Sequence, residues 1–225
     1  NRMVTDSITD IFYTTSEVAN ENLRKLGHAE SKIRYVGNTM IDTLLKNMPR
    51  FIKPAAWDEH QLKEKGYFVM TLHRPANVDE ETQLKNLIDE IVKGSRGMPI
   101  VFPVHPRTAK ILKGIGIEAD HLHMIEPLGY LEFNYLVKHS LAVVTDSGGI
   151  TEETTVMKVP CMTLRDNTER PETITIGTNE LVGTNPDNVA PFMAKLHKGE
   201  WKVGEIPYLW DGKTAERIVQ DLLTL

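Results

Sequence analysis

The sequence predicts an α/β protein whose parallel sheet is covered by helices on both faces. Short apolar runs alternate with helical patterns from residue 67 onward, which is the order of a parallel sheet with crossover helices. Polar and glycine-rich residues collect in the loops that follow the strands, while the opposite ends carry ordinary Lys/Glu-rich turns. A 40% apolar share in 225 residues supplies a sizeable core.

The first 47 residues read as helix, strand, helix, strand, helix. Ile11–Thr14 is a short β-rich run, Ser16 suits the cap of a helix over Glu17–Leu26, and Gly27 ends that helix. Arg34–Val36 is a second strand, closing at Gly37-Asn38 before a helix over Thr39–Asn47. Two strands make no independent domain, so residues 1–47 are expected to complete a sheet whose other strands lie elsewhere. The opening "NRMVTDSITDIFYTT" has no methionine at its start and reads as the middle of a domain, so the chain is expected to be a fragment. "NMPRFIKPAAW" holds two prolines and no steady period, and residues 48–57 are assigned as a linker.

Residues 58–211 form the second domain. Its strands are expected at Tyr67–Leu72, Ile100–Val104, His123–Ile125, Leu141–Thr145, Cys161–Leu164 and Leu181–Val182. Helical patterns fall near 80–93, 107–113, 130–138, 149–157, 171–176 and 187–196, and residues 212–225 add a terminal helix over Thr214–Leu223.

The net charge of −5, with acids and bases interspersed, disfavours nucleic-acid binding through a phosphate footprint. No apolar stretch approaches the roughly 20 residues of a membrane span. The lone Cys161 sits in an apolar run with no basic neighbour, which reads as a buried structural thiol in a reducing, cytoplasmic compartment.

The loops after the strands are "HRPAN" (73–77), "HPRT" (105–108), "EPLGY" (126–130), "DSGG" (146–149), "RDNTER" (165–170) and "GTNPD" (183–187). Gly148 and Gly149 stand where a strand turns into a helix. Without a Cβ they let a ligand approach the backbone, and the first amides of the helix lack internal partners. With the helix dipole, that is a receptacle for phosphate. Ser147 offers a hydroxyl to the same anion, and Arg165 and Arg170 supply cations from the neighbouring loop. Glu152 or Glu153 suits a ribose diol. His73 and His105, each at a strand end, are candidates for acid–base work or a phosphate bond. His121 and His123 lie at the start of a strand, on the wrong side of the sheet, and are read as structural. No convergent acidic ligands accompany them, so no metal site is assigned. Tyr130, Phe133 and Tyr135 read as helix packing rather than as a nucleobase platform.

"NRMVTD", "TLHRPAN", "TDSGGITEE" and "RDNTERPETITIGTNELVG" together resemble the non-hydrolysing UDP-N-acetylglucosamine 2-epimerases, across essentially the whole chain. The resemblance implies a glycosyltransferase-B-like pair of Rossmann-type domains with the active site in their cleft, this chain being the end of the first and all of the second. It implies that Ser147, Gly148 and Gly149 hold the diphosphate with help from Arg170, and that Glu153 binds the ribose hydroxyls. His73 would sit at the diphosphate and reacting sugar, and Arg2 would reach in from the first domain. His105 joins the substrate-binding set. The implied reaction inverts C2 of UDP-GlcNAc to give UDP-ManNAc, by elimination of UDP and its re-addition, with no NAD, no other cofactor and no metal. The implied partners are UDP-GlcNAc and UDP, in an intact homodimer serving polysaccharide biosynthesis.

Two departures carry expectations. Pro75-Ala76 stands where many relatives have Arg-Glu, so any polar role of that pair is absent here. The family's acidic catalytic residues lie mostly upstream of "NR", so the 225 residues are expected to hold UDP weakly without epimerising. Three other readings stay open on these residues: a hydrolysing epimerase, a UDP-sugar glycosyltransferase, and a non-catalytic nucleotide-sugar binding module.

Overall fold

The computed structural model of the chain describes residues 2–224, without the side chains of Arg2, Arg107 and Ile111. Two compact units share the chain: Asn1–Pro49 with Ile206–Leu225, and Arg50–Glu205.

The first unit opens with α1 (Arg2–Ser7), β1 (Phe12–Thr14), α2 (Glu17–Lys25), β2 (Ile33–Tyr35) and α3 (Thr39–Asn47). Ser16 Oγ accepts from Ala19 N at the start of α2, and Asn38 Oδ1 accepts from Met40 N at the start of α3. The Ser16 cap is the one read from the sequence; Asn38 is there only the end of the second strand. Strands β1 and β2 pair in parallel, Phe12 against Ile33.

The second unit begins with α4 (Ala55–Glu59), a short helix that starts inside the stretch expected to be a linker and runs two residues past it. Its Trp57 packs edge-on to Tyr67 and Tyr135, which gives these residues an apolar reason to fold that proline content alone conceals. There follow β3 (Phe68–Thr71), α5 (Pro75–Val78), α6 (Glu81–Gly94), β4 (Ile100–Pro103), α7 (Pro106–Gly114), β5 (Leu122–Ile125) and α8 (Tyr130–His139). The unit closes with β6 (Ala142–Thr145), α9 (Gly148–Met157), β7 (Cys161–Thr163), α10 (Glu172–Thr175), β8 (Asn179–Leu181) and α11 (Val189–Lys198). The last strand lies two residues earlier than expected and ends at Leu181.

All six strands run parallel in the order β5-β4-β3-β6-β7-β8. The side-chain period of two splits them between two cores. Phe68, Met70, Ile100, Phe102, Val144 and Met162 face one side, against Leu87, Ile88 and Ile91 of α6 and Met193 of α11. Tyr67, Val69, Val101, Val143 and Cys161 face the other, against Leu136 and Val137 of α8. Leu87 is wholly buried, and truncating such a leucine to alanine costs about 2–5 kcal/mol. The result is the three-layer, Rossmann-type arrangement that the sequence predicts.

The terminal helix α12 (Thr214–Leu222) belongs to the first unit. Asp42 of α3 accepts from Thr214 N at 3.1 Å and Ala215 N at 2.7 Å, capping α12 from another helix. Gly37 is required nearby: its φ is +104°, and a Cβ would lie 2.2 Å from the Leu209 carbonyl oxygen.

A candidate nucleotide site at the strand switch point

The order of the six strands reverses between β3 and β6. One crossover runs outward from β3 through β4 to β5, and the other from β6 through β7 to β8. A crevice opens at such a point, outside the carboxyl ends of the two central strands. The segments that enter it are residues 73–77 after β3, running into α5, and residues 146–149 after β6, running into α9.

Asp146 joins these two loops. Its side chain is fully buried, and Oδ2 accepts from Arg74 N at 2.8 Å, His73 N at 3.0 Å and Asn77 Nδ2 at 3.1 Å. Its Oδ1 lies 2.8 Å from His73 Nδ1. Asn77 Nδ2 also donates to the Leu164 carbonyl at 3.0 Å, which ties the end of β7 to the same cluster. Pro75 occupies the first turn of α5, where its missing N–H costs nothing. Composition and motif point to the histidine and not to the aspartate. The available signal is an acid at the end of a wholly buried strand, a place where burial demands donors.

Helix α9 starts at Gly148 with Ser147 at its cap position, and the Ser147 side chain makes no capping bond. The Ser147 amide is engaged by Thr145 Oγ1 at 3.0 Å, and Thr145 Oγ1 lies 2.6 Å from Thr71 Oγ1 on β3. Residues 147–150 are half-buried, so this turn stays open to solvent. A Cβ on Gly148 would stand 3.6 Å from Arg165 Nη1. Arg165 therefore lies against the glycine turn, its other nitrogen 3.2 Å from Glu169 Oε1.

Arg170 approaches α9 through an ion pair, its Nε 2.5 Å from Glu152 Oε1. Glu152 is buried and Arg170 one-third exposed, so the cation is anchored below and accessible above. The sequence had placed this arginine beside an anion without a carboxylate partner. Glu153, on the next position of α9, is also buried, and Tyr130 Oη donates to its Oε1 at 2.7 Å. Burial raises the Glu153 carboxyl above its ordinary range, against the hydrogen bonds of Tyr130 and Asn134 that favour the carboxylate. Tyr130 departs from its expected packing role: it is exposed at the start of α8, and its hydroxyl serves Glu153. Phe133 and Tyr135 do pack, the first into the second core and the second against Trp57 and His139.

His105 lies after β4 and before α7, exposed, its carbonyl accepting from Ala109 N. The side chain of Arg2 lies outside the described residues. His123 stacks on His60 at 4.1 Å, and the His121 ring nitrogen meets the Val92 carbonyl at 3.3 Å. Among the described residues no group of three or more His, Cys, Asp or Glu is placed to hold a metal ion.

Residues 1–223 match the family model described as UDP-N-acetylglucosamine 2-epimerase. The chain belongs to this family. A UDP-N-acetylglucosamine 2-epimerase of Methanocaldococcus jannaschii is 40% identical over 99% of the chain, which spans 63% of that protein's length. A UDP-2,3-diacetamido-2,3-dideoxy-D-glucuronate 2-epimerase of Pseudomonas aeruginosa is 32% identical, over 100% of the chain and 63% of its own length. Among solved structures, the M. jannaschii UDP-GlcNAc 2-epimerase in complex with UDP-GlcNAc and UDP superposes with a TM-score of 0.81. It is 39% identical, and the match covers all of this chain and 64% of that one. The fold is thus the glycosyltransferase-B-like α/β class of these epimerases. Among the described residues of this family member, no helix is long and apolar enough to cross a membrane.

Proposed function

We propose that the whole protein is an isomerase that inverts C2 of UDP-N-acetylglucosamine, and that the second unit holds the nucleotide. The supporting observation is the open glycine turn at the start of α9, flanked by Arg165 and by the Arg170–Glu152 pair at the switch point of the sheet. In this reading the free amides of the first helical turn and the two arginines receive the diphosphate. Glu153, held by Tyr130, accepts from the ribose diol.

The reaction breaks two bonds. The C2 proton passes to a base, its electron pair forms the C1–C2 double bond, and the C1–oxygen pair leaves with UDP. UDP then adds back after C2 is reprotonated on the other face. The negative charge on departing UDP is what the α9 amides and Arg170 would stabilise, in a site where fixed donors are worth more than water. His73, at the end of the neighbouring strand, would face the reacting end of the nucleotide.

A second reading rests on the P. aeruginosa relative, whose name gives it a different UDP-sugar. The same nucleotide site would then serve a 2,3-diacetamido uronate. NMR of each sugar nucleotide incubated with the whole protein separates the readings. UDP-ManNAc from UDP-GlcNAc supports the first, and turnover of the diacetamido substrate alone supports the second. Release of free ManNAc with UDP would replace both by hydrolysis. The family resemblance also supports a homodimer, to be weighed by light scattering, and a cytoplasmic place in polysaccharide biosynthesis.

A further inference from the structure

We infer that Asp146 is a positioning residue: it fixes His73 as the tautomer protonated on Nδ1 and so presents a bare Nε2 to the crevice. The inference rests on the proposed nucleotide site for its chemistry, and on the geometry alone for the tautomer.

A carboxylate only accepts hydrogen bonds. Asp146 Oδ2 already takes three N–H donors, from His73 N, Arg74 N and Asn77 Nδ2. Asn77 fixes its own amide orientation by donating from Nδ2 to both Asp146 and the Leu164 carbonyl. With its other oxygen 2.8 Å from His73 Nδ1, the hydrogen between them sits on the ring. The same carboxylate binds the backbone on either side of that ring, at His73 N and Arg74 N, so it orients both the side chain and the turn that carries it. The His73 side chain is 60% exposed while Asp146 is fully buried, so the pair has a dry anchor and a wet tip. A proton taken up at Nε2 creates an imidazolium whose charge Asp146 balances, and the same proton leaves from Nε2. This is the division of labour between an orienting carboxylate and a working imidazole.

Asp146→Asn gives the sharpest test, because the amide must choose its orientation. Three donors converge on the Oδ2 position, so the amide oxygen goes there and the NH2 turns toward the imidazole. The ring must then accept at Nδ1 and carry its hydrogen on Nε2; the Oδ2 bonds from His73 N and Arg74 N are preserved, and only the longer 3.2 Å bond from His73 N to Oδ1 is lost. Long-range 1H–15N NMR of the 225-residue chain reads the tautomer directly. The expected result is Nδ1–H in the unsubstituted protein and Nε2–H in D146N. An Nε2–H tautomer or an even mixture in the unsubstituted protein overturns the inference, as does an unchanged tautomer in D146N. If D146N fails to fold, the unsubstituted spectrum decides alone. In the whole protein, D146N is expected to lower kcat by about 10²- to 10⁴-fold, the span of acid–base contributions, with KM and UDP affinity within about threefold. An unchanged kcat refutes the positioning role in catalysis. Absence of UDP binding by the unsubstituted protein would instead refute the proposed function and leave the tautomer result standing.

Discussion

Arg170 Nε and Glu152 Oε1 stand 2.5 Å apart, so the arginine reaches the start of α9 as half of an ion pair with a buried carboxylate. The partner is itself within the first turns of α9, the helix that starts at Gly148. Neutralising Glu152 there keeps a buried negative charge from repelling an anion bound at that helix end.

In the proposed site, Arg170→Ala removes a charge-assisted bond to the diphosphate together with the ion pair to Glu152. UDP affinity is expected to fall by about 10- to 100-fold, the worth of a charged hydrogen bond. The Glu152→Gln/Arg170→Ala double variant separates the two effects. It should recover melting temperature relative to Arg170→Ala but not UDP affinity. Calorimetry showing full affinity in Arg170→Ala would remove this arginine from the site.

Glu153 sets a pH dependence of stability. Burial raises its carboxyl above the ordinary value of 4.5. An acid whose folded value lies above its unfolded one holds its proton more tightly when folded. Its contribution therefore favours the fold at low pH and is lost as pH rises from about 4.5 through the raised value. Glu153→Gln abolishes this titration, so the variant's melting temperature should gain on the unsubstituted protein across that window and then hold a constant offset. A difference independent of pH would contradict the burial of Glu153.

Tyr130→Phe withdraws the hydroxyl that donates to Glu153 Oε1. The carboxyl should titrate still higher, and UDP affinity should drop about three- to tenfold as the proposed ribose acceptor loses its orientation, in line with one hydrogen bond of about 1 kcal/mol. Titration calorimetry at neutral pH measures the loss.

Gly148→Ala tests the close approach at the turn. The added methyl meets Arg165 Nη1 at 3.6 Å, an ordinary contact, so the melting temperature should stay within a few degrees. The space between the turn and Arg165 shrinks by that methyl, and UDP affinity should fall at least tenfold. Equal affinity would place the ligand elsewhere.

Much of this architecture is legible in the chain. The apolar runs and their turns give each strand to within about two residues because burial on both faces leaves no polar ambiguity. Ser16 announces its helix by local chemistry that tertiary context does not alter. Glycine at 148 likewise marks the strand-to-helix turn, where a Cβ would meet only Arg165 Nη1 at 3.6 Å.

What stayed hidden is pairwise. Asp146 reaches His73 across 73 positions of sequence, and Arg170 meets Glu152 only because β7 lies beside β6. Spacing along the chain carries no trace of either. Tyr130 reads as packing since its neighbours Phe133 and Tyr135 do pack, and only the fold turns its hydroxyl onto Glu153. Helix α4 escaped because Pro54 marks a stop in sequence and a start in structure, as the residue before the first helical turn.

The central claim is that the backbone at the start of α9 holds the pyrophosphate of a uridine nucleotide. Following the 1H–15N amide resonances of Ser147, Gly148 and Gly149 while UDP is added tests it most directly. Saturable shifts centred on those three amides and on the Arg170 side chain are predicted. Saturating UDP that leaves all three amides unmoved would contradict it.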